Sequence, residues 1–200
     1  MQVRRWLTDI AATAAALAVV LAAGGCATDS RGARSPEAEP RYTIDGFDTC
    51  EAIDGRALDG LVQQDEAGRT QRGDDYSTCI FNSQTAAGED VTLAVHVTAH
   101  ATILEGSEKY ADDRLHPYGL VAKVGQPRDI AGVGDEAAHR SGNARKGGYT
   151  YVEHLFVARQ DNLTVNIQLR VSGLSSNPGG EPLSTLTNLA KRMIEKSPRA

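Results

Sequence analysis

The sharpest pattern in the chain is a strict alternation of apolar and polar positions over residues 91–101. Val91, Leu93, Val95, Val97 and Ala99 point one way; Thr92, His96, Thr98 and His100 point the other. This period of two predicts a strand with one face buried and one face wet. It recurs in Leu163, Val165, Ile167, Leu169 and Val171, set against Thr164, Asn166, Gln168 and Arg170. Residues 149–158 form a preceding strand of less clear polarity, which suits cover on both faces. Gln160-Asp161-Asn162 is a tight connection, so the two segments predict a β-hairpin. Cys79-Ile80-Phe81 starts another strand. Residues 119–148 are turn-rich, with a weak strand near 137–140 and a turn at Gly147-Gly148.

Elsewhere the period changes to that of a helix. Asp48 followed by Glu51 is an acidic variant of the capping box. Ile53, Ala57, Leu58, Leu61 and Val62 follow at helical spacing, but Gly55 and Gly60 predict a short or broken helix. The polar run 63–75 is a loop with room for a short strand. Residues 105–115 predict a helix ended by His116-Pro117, because the residue before proline avoids the helical region. The last helix runs over 181–196, with Pro182 in its first turn and Leu183, Leu186, Leu189, Ala190, Met193 and Ile194 on one stripe. The sum is an α+β fold in a single domain, with a twisted antiparallel sheet whose apolar face is covered by helices. Residues 42–200 form that domain.

The N-terminus has a different character. Arg4 and Arg5 precede an uncharged run of about 14 residues, 10–23, which ends in Ala22-Ala23-Gly24-Gly25-Cys26. A bilayer-spanning helix needs roughly 20 apolar residues, so the run suits a cleaved signal peptide over residues 1–25. A cysteine directly after the small residues resembles the lipobox of bacterial lipoproteins, in which the thiol is diacylated and the chain is cut before it. That makes Cys26 the lipidation site and places the protein on the extracytoplasmic side of the cell membrane. An ordinary secreted protein is the competing reading. Export by the general or the twin-arginine route stays open. Residues 26–41 are rich in Ser, Gly, Pro, Glu and Arg and too poor in apolar groups to fold, so they read as a flexible linker.

Charge and cysteines narrow the function. The chain carries 21 basic and 26 acidic residues. Removing Arg4, Arg5 and Asp9 with the signal peptide leaves a net charge of −6. That excludes nucleic acid as a partner and argues against a polybasic contact with anionic lipid. With Cys26 acylated, Cys50 and Cys79 remain. An oxidising compartment favours their pairing. The loop of about 30 residues would then contribute roughly 3.6 kcal/mol in the chain-entropy model. Two free buried thiols are the alternative; a metal site lacks the usual C-x-x-C spacing.

Asp48-Thr49-Cys50, Cys79-Ile80-Phe81, Gly132-Val133-Gly134-Asp135-Glu136-Ala137 and the helix containing Leu189 to Arg192 together resemble an actinobacterial family of cell-envelope lipoproteins of unknown function. That family has an Asp-Pro-Cys start, a second cysteine before an aromatic, and a Gly-x-Gly-Asp-Glu-Ala turn. This chain has Thr49 in place of the proline and Phe81 where tryptophan is common. The resemblance covers residues 47–194. It implies a lipid-anchored α+β envelope protein and brings no catalytic residues.

Candidate chemistry is sparse. Gly132, Gly134 and Ala137 formally match a dinucleotide fingerprint, but no buried strand precedes them and no amphipathic helix follows. His96 and His100 stand roughly 13 Å apart along a strand, too far to share one ion, although His154 could approach either across the sheet. Solvent-facing histidines are the simpler expectation. Asp74-Asp75 and Asp112-Asp113 read as solvated pairs, and Asn162-Leu163-Thr164 as a formal glycosylation sequon. No cofactor is implied. Two functions follow. One is a non-enzymatic envelope module binding a small or apolar ligand or a partner protein, with its sheet and the 119–148 loop outward. The other is an envelope hydrolase or metal-dependent enzyme using His96, His154 and loop acids.

Overall fold

A computed structural model of the chain describes residues 39–53, 58, 68–85, 88–116, 123–173 and 182–200. The two alternating segments become the centre of its sheet, β3 (Asp90–Ala99) and β8 (Leu163–Gly173). They pair antiparallel with Leu93 opposite Leu169, Val95 opposite Ile167 and Val97 opposite Val165. All six of these side chains are buried. Around them lie β1 (Arg69–Arg72), β2 (Tyr76–Gln84), β4 (Lys123–Val124), β5 (Arg128–Asp129), β6 (Glu136–Lys146) and β7 (Tyr149–Gln160). The order across the sheet is β1-β2-β3-β8-β7-β6-β4, with β5 also on β6. The chain leaves β3 at the centre, crosses to the far edge, and returns inward by hairpins until β8 closes against β3.

Helices cover both faces of this sheet. On one face lie α1 (Thr49–Ala52) and α3 (Leu183–Lys196). Here Leu186, Leu189, Ala190 and Met193 are buried against Val95, Phe156 and Ile167 in the main core. Each such side chain contributes about 1.5–3 kcal/mol by leaving water. On the other face α2 (Ile103–Leu115) forms a smaller core in which Tyr110 meets Ala138, Leu155 and Val157. The result is an α+β fold, with Glu37–Ala200 as one compact unit that contains the whole sheet, both cores and the Cys50–Cys79 disulfide.

The disulfide ties α1 to β2. Asp48 caps α1 by accepting from the backbone N–H groups of Cys50 and Glu51. The backbone N–H of Thr49 donates to Ser77 Oγ at 3.1 Å and its hydroxyl to the Ser77 carbonyl at 2.9 Å. A proline at position 49 would lack the first of these donors. Gly68 lies against the bridge, where an added Cβ would meet Cys79 Sγ at 2.4 Å and Cys50 Sγ at 2.8 Å.

Several expectations need correction. The stretch 119–148 is not chiefly loop: within its described part, β6 runs eleven residues and carries β4 and β5 on its outer edge. Its distal half, residues 140–146, is mostly polar and half-exposed to exposed, so no apolar alternation marks it; pairing with β7 holds it. The helix expected over 105–115 starts at Ile103, because Thr102 Oγ1 accepts from Glu105 N–H and the Glu105 carboxylate accepts from Ala101 N–H. The last helix starts at Leu183, with Pro182 as its N-cap residue. The sheet is not presented outward, since α2 covers part of the face expected to be wet. The signal peptide, Cys26, residues 54–57 and 59–62 of the first predicted helix and residues 63–67 of the loop expected after it lie outside the described residues.

Asn162 locks the β7–β8 turn to the ends of the domain. Its Oδ1 accepts from the backbone N–H groups of Arg41 and Tyr42 at 3.0 and 2.9 Å. Its Nδ2 donates to the carbonyls of Tyr42 and His100 at 2.9 and 2.8 Å. The side chain is fully buried, so the formal sequon presents no accessible amide. Asn162→Ala strands those groups, each at a cost of about 1–3 kcal/mol when buried. The expected loss is about 2–4 kcal/mol in urea unfolding; a loss below about 1 kcal/mol would contradict this role.

Candidate functional site

The period of two places the polar sides of β3 and β8 together. Ala94 lies opposite Gln168, His96 opposite Asn166 and Thr98 opposite Thr164. These three pairs floor a cleft of about 260 Å³, and Lys109 and Asp113 of α2 wall it. The helix is placed there by an unusual polarity. It buries Gly106, Tyr110 and Asp113, while Leu104 and Leu115 are exposed. Gly106 permits the close approach: a Cβ there would meet Asn162 Cα at 3.1 Å.

Most of the lining is already hydrogen-bonded. His96 Nδ1 pairs with Thr78 Oγ1, and its Nε2 lies 3.0 Å from Thr98 Oγ1. A neutral imidazole suits this arrangement, with one threonine donating to the bare nitrogen and the other accepting from the N–H. Burial pushes the His96 pKa down, with Asp113 opposing. His100 Nε2 lies 3.0 Å from Thr164 Oγ1, and burial lowers its pKa too, with Glu105 opposing. Lys109 is ion-paired to the buried Asp113. Asn166 differs: its Oδ1 is buried and has no hydrogen-bond partner among the described residues. A buried amide oxygen left unpaired costs about 1–3 kcal/mol.

The histidines do not assemble as the enzyme reading required. His96 pairs across with Asn166, and Asn166 with Val157. His154 is three residues from Val157, so it points to the opposite face, beside Leu169. There its Nδ1 lies 3.1 Å from Nε2 of His139, and the rings stack with centroids 5.4 Å apart. Both rings are buried. The expectation of solvent-facing histidines is therefore corrected: His154 lies in the main-core face, and His96 lies under α2. Among the described residues no three of His, Cys, Asp and Glu converge to hold a metal.

The remaining expected features have structural roles. Gly132 and Gly134 adopt positive φ of 74° and 55°, the conformation open to glycine. A strand, β6, follows them rather than the helix a dinucleotide site requires. Asp135 then accepts from Asp161 N–H at 2.8 Å and from Gln160 Nε2 at 2.9 Å, bracing the β7–β8 turn. Asp113 is no solvated acid, and Asp112 pairs with His116. Sequence reasoning missed Asn166, Lys109 and Asp113 as a group. The signal was the matched polar sides of two alternating strands, which adjacency in the sheet brings together.

The histidine environment sets a pH dependence. Both His96 and His100 have folded-state pKa values below the ordinary 6.5. As pH falls below 6.5 the unfolded chain binds protons first, so stability is complete above that value and declines below it. Denaturant unfolding between about pH 7 and 5.5 is expected to show this decline, with a shallower slope in His96→Gln. An unchanged slope would contradict the burial of a neutral His96.

No family model matches the chain, and no curated protein matches it. Among solved structures, a crystal structure of LpqN, described as involved in cell envelope biogenesis of Mycobacterium tuberculosis, matches with 14% identity and a TM-score of 0.29. The match covers 80% of this chain and 99% of that one. At that identity and TM-score no residue role passes from one chain to the other.

Proposed function

We propose that this chain is a lipoprotein held at the extracytoplasmic face of the cell membrane by an acylated Cys26, and that its domain binds a small polar ligand in the cleft under α2 without chemistry of its own. The observation that carries the binding role is the buried, unpartnered Asn166 Oδ1 in a cleft of about 260 Å³. A ligand that donates a hydrogen bond to this oxygen removes its desolvation cost, which is a source of both affinity and specificity. Hydroxyls, amides and one internally neutral ion pair line the cleft. They favour a polar, uncharged occupant over the apolar one entertained from sequence.

The anchor rests on the small residues before Cys26 and on the length of the preceding apolar run. The Cys50–Cys79 bridge suits an exported protein, because disulfides persist in oxidising compartments. Among the described residues no helix is long and apolar enough to cross a membrane.

Native mass spectrometry of the protein extracted mildly from its own host tests both parts. The expected species begins at a diacylated Cys26 and carries a non-covalent adduct that Asn166→Leu abolishes. An unmodified or uncleaved N-terminus would remove the anchor from the proposal. A wild-type protein with no adduct would remove the ligand.

A further inference from the structure

The chain is acidic as a whole, but its cations are not evenly placed. Residues 117–128 and 137–152 contain Lys123, Arg128, Arg140, Arg145 and Lys146 and no aspartate or glutamate. The fold brings the described end of the first stretch, from Lys123, against the second. Lys123 of β4 pairs across from Asn143 of β6, and Arg128 of β5 from His139. Arg145 and Lys146 close the same strand at the β6–β7 turn. With a net charge of −6 on the chain after residue 25, five cations here leave −11 on the remainder.

Among the described residues the positive charge of this edge meets little neutralising charge. Lys123, Arg128, Arg145 and Lys146 are exposed and have no carboxylate partner among the described residues. Among the described residues Arg140 donates to the carbonyls of Gly125, Arg114 and Leu115. The acids of the same strands are already held: Asp129 by Arg114, Glu136 by Arg159 and Glu153 by Arg170. Beside the cations, Tyr149 is 47% exposed at the hairpin tip. Tyrosine of this kind suits the boundary between headgroups and water, where a ring can be half-immersed.

We infer that the β4–β5–β6 edge is a docking surface for an anionic lipid bilayer. Its occupant is a surface and not a pocketed ion, because the cations lie along an edge instead of around a cavity. From His139 to Lys146 the edge extends roughly 24 Å at strand rise, enough for several headgroups. This inference rests on the membrane anchor proposed above, and the geometry is compatible with it. Arg41 lies fifteen residue steps after Cys26, and such a stretch of chain spans at most about 50 Å. Arg41 in turn sits at Asn162, at the end of β7 away from the hairpin tip. That end is roughly 37 Å from Tyr149 along the strand. The tether therefore lets the domain lie on its side with the basic edge on the bilayer. Cations near an anionic surface each raise binding by about fivefold at low salt, and the effect fades within a Debye length.

Vesicle sedimentation tests the surface separately from the lipid anchor. The unit Glu37–Ala200, which contains the sheet, its cores and its disulfide, is made without Cys26 and mixed with vesicles of phosphatidylcholine alone or with one-third phosphatidylglycerol. Binding is expected to the anionic vesicles only, at low salt, and to be lost in 0.5 M NaCl. Arg145→Gln with Lys146→Gln is expected to weaken it by about 25-fold. Those two side chains are exposed and unpaired, so the variant should keep the wild-type circular dichroism. Equal sedimentation with both vesicle types, none with either, or full binding by the variant would overturn the inference. So would binding to soluble polyphosphate without binding to vesicles. Failure of Cys26 acylation would leave this experiment unaffected, because no acyl group takes part in it.

Discussion

The register between β3 and β8 is the constraint on which the rest of the structure depends. Leu93 with Leu169, Val95 with Ile167 and Val97 with Val165 form three buried cross-strand pairs. A slip of one residue by either strand would turn its three side chains out of the main core and put the polar positions that alternate with them, around His96 or Asn166, into it. The hydrophobic cost of that slip fixes the register. The same register decides which polar groups face α2. Thus the cleft is a by-product of core packing: its floor consists of the positions that alternate with the core.

Covering a polar sheet face with a helix is costly, because each hydroxyl, imidazole and amide loses water. The domain offsets this with local pairs, threonine to histidine on the floor and lysine to aspartate on the wall. Asn166 is the position where the pairing stops. That bare oxygen among satisfied neighbours is the feature that supports the recognition role proposed above. Among its neighbours, His96 has both nitrogens occupied and Asp113 is tied to Lys109. The β7–β8 turn supports the arrangement from below, through Asn162, Asp135 and the close approach of Gly106.

Much of this was legible in the sequence. Two alternating segments gave the sheet centre, the Leu186-to-Ile194 stripe gave the covering helix, and two cysteines in a chain read as exported gave the bridge. The cover over the second face was not legible, for a physical reason. Helix α2 turns Lys109 and Asp113 inward and leaves Leu104 and Leu115 in water, so it has no apolar stripe pointing at the sheet. His154 was misplaced because residues 155–158 are buried on both faces, which erases the alternation that would reveal its side. The basic edge was hidden by a chain-wide charge sum. Lys123 and Lys146 are far apart in sequence, and only strand pairing makes them neighbours.

A crystal structure at high resolution of the protein taken from its own host is the most direct test of the cleft. Density larger than water is expected beneath α2, with a donor about 2.7–3.2 Å from Asn166 Oδ1. A cleft holding ordered water alone, with one water hydrogen-bonded to that oxygen, would contradict ligand binding as the role of this domain.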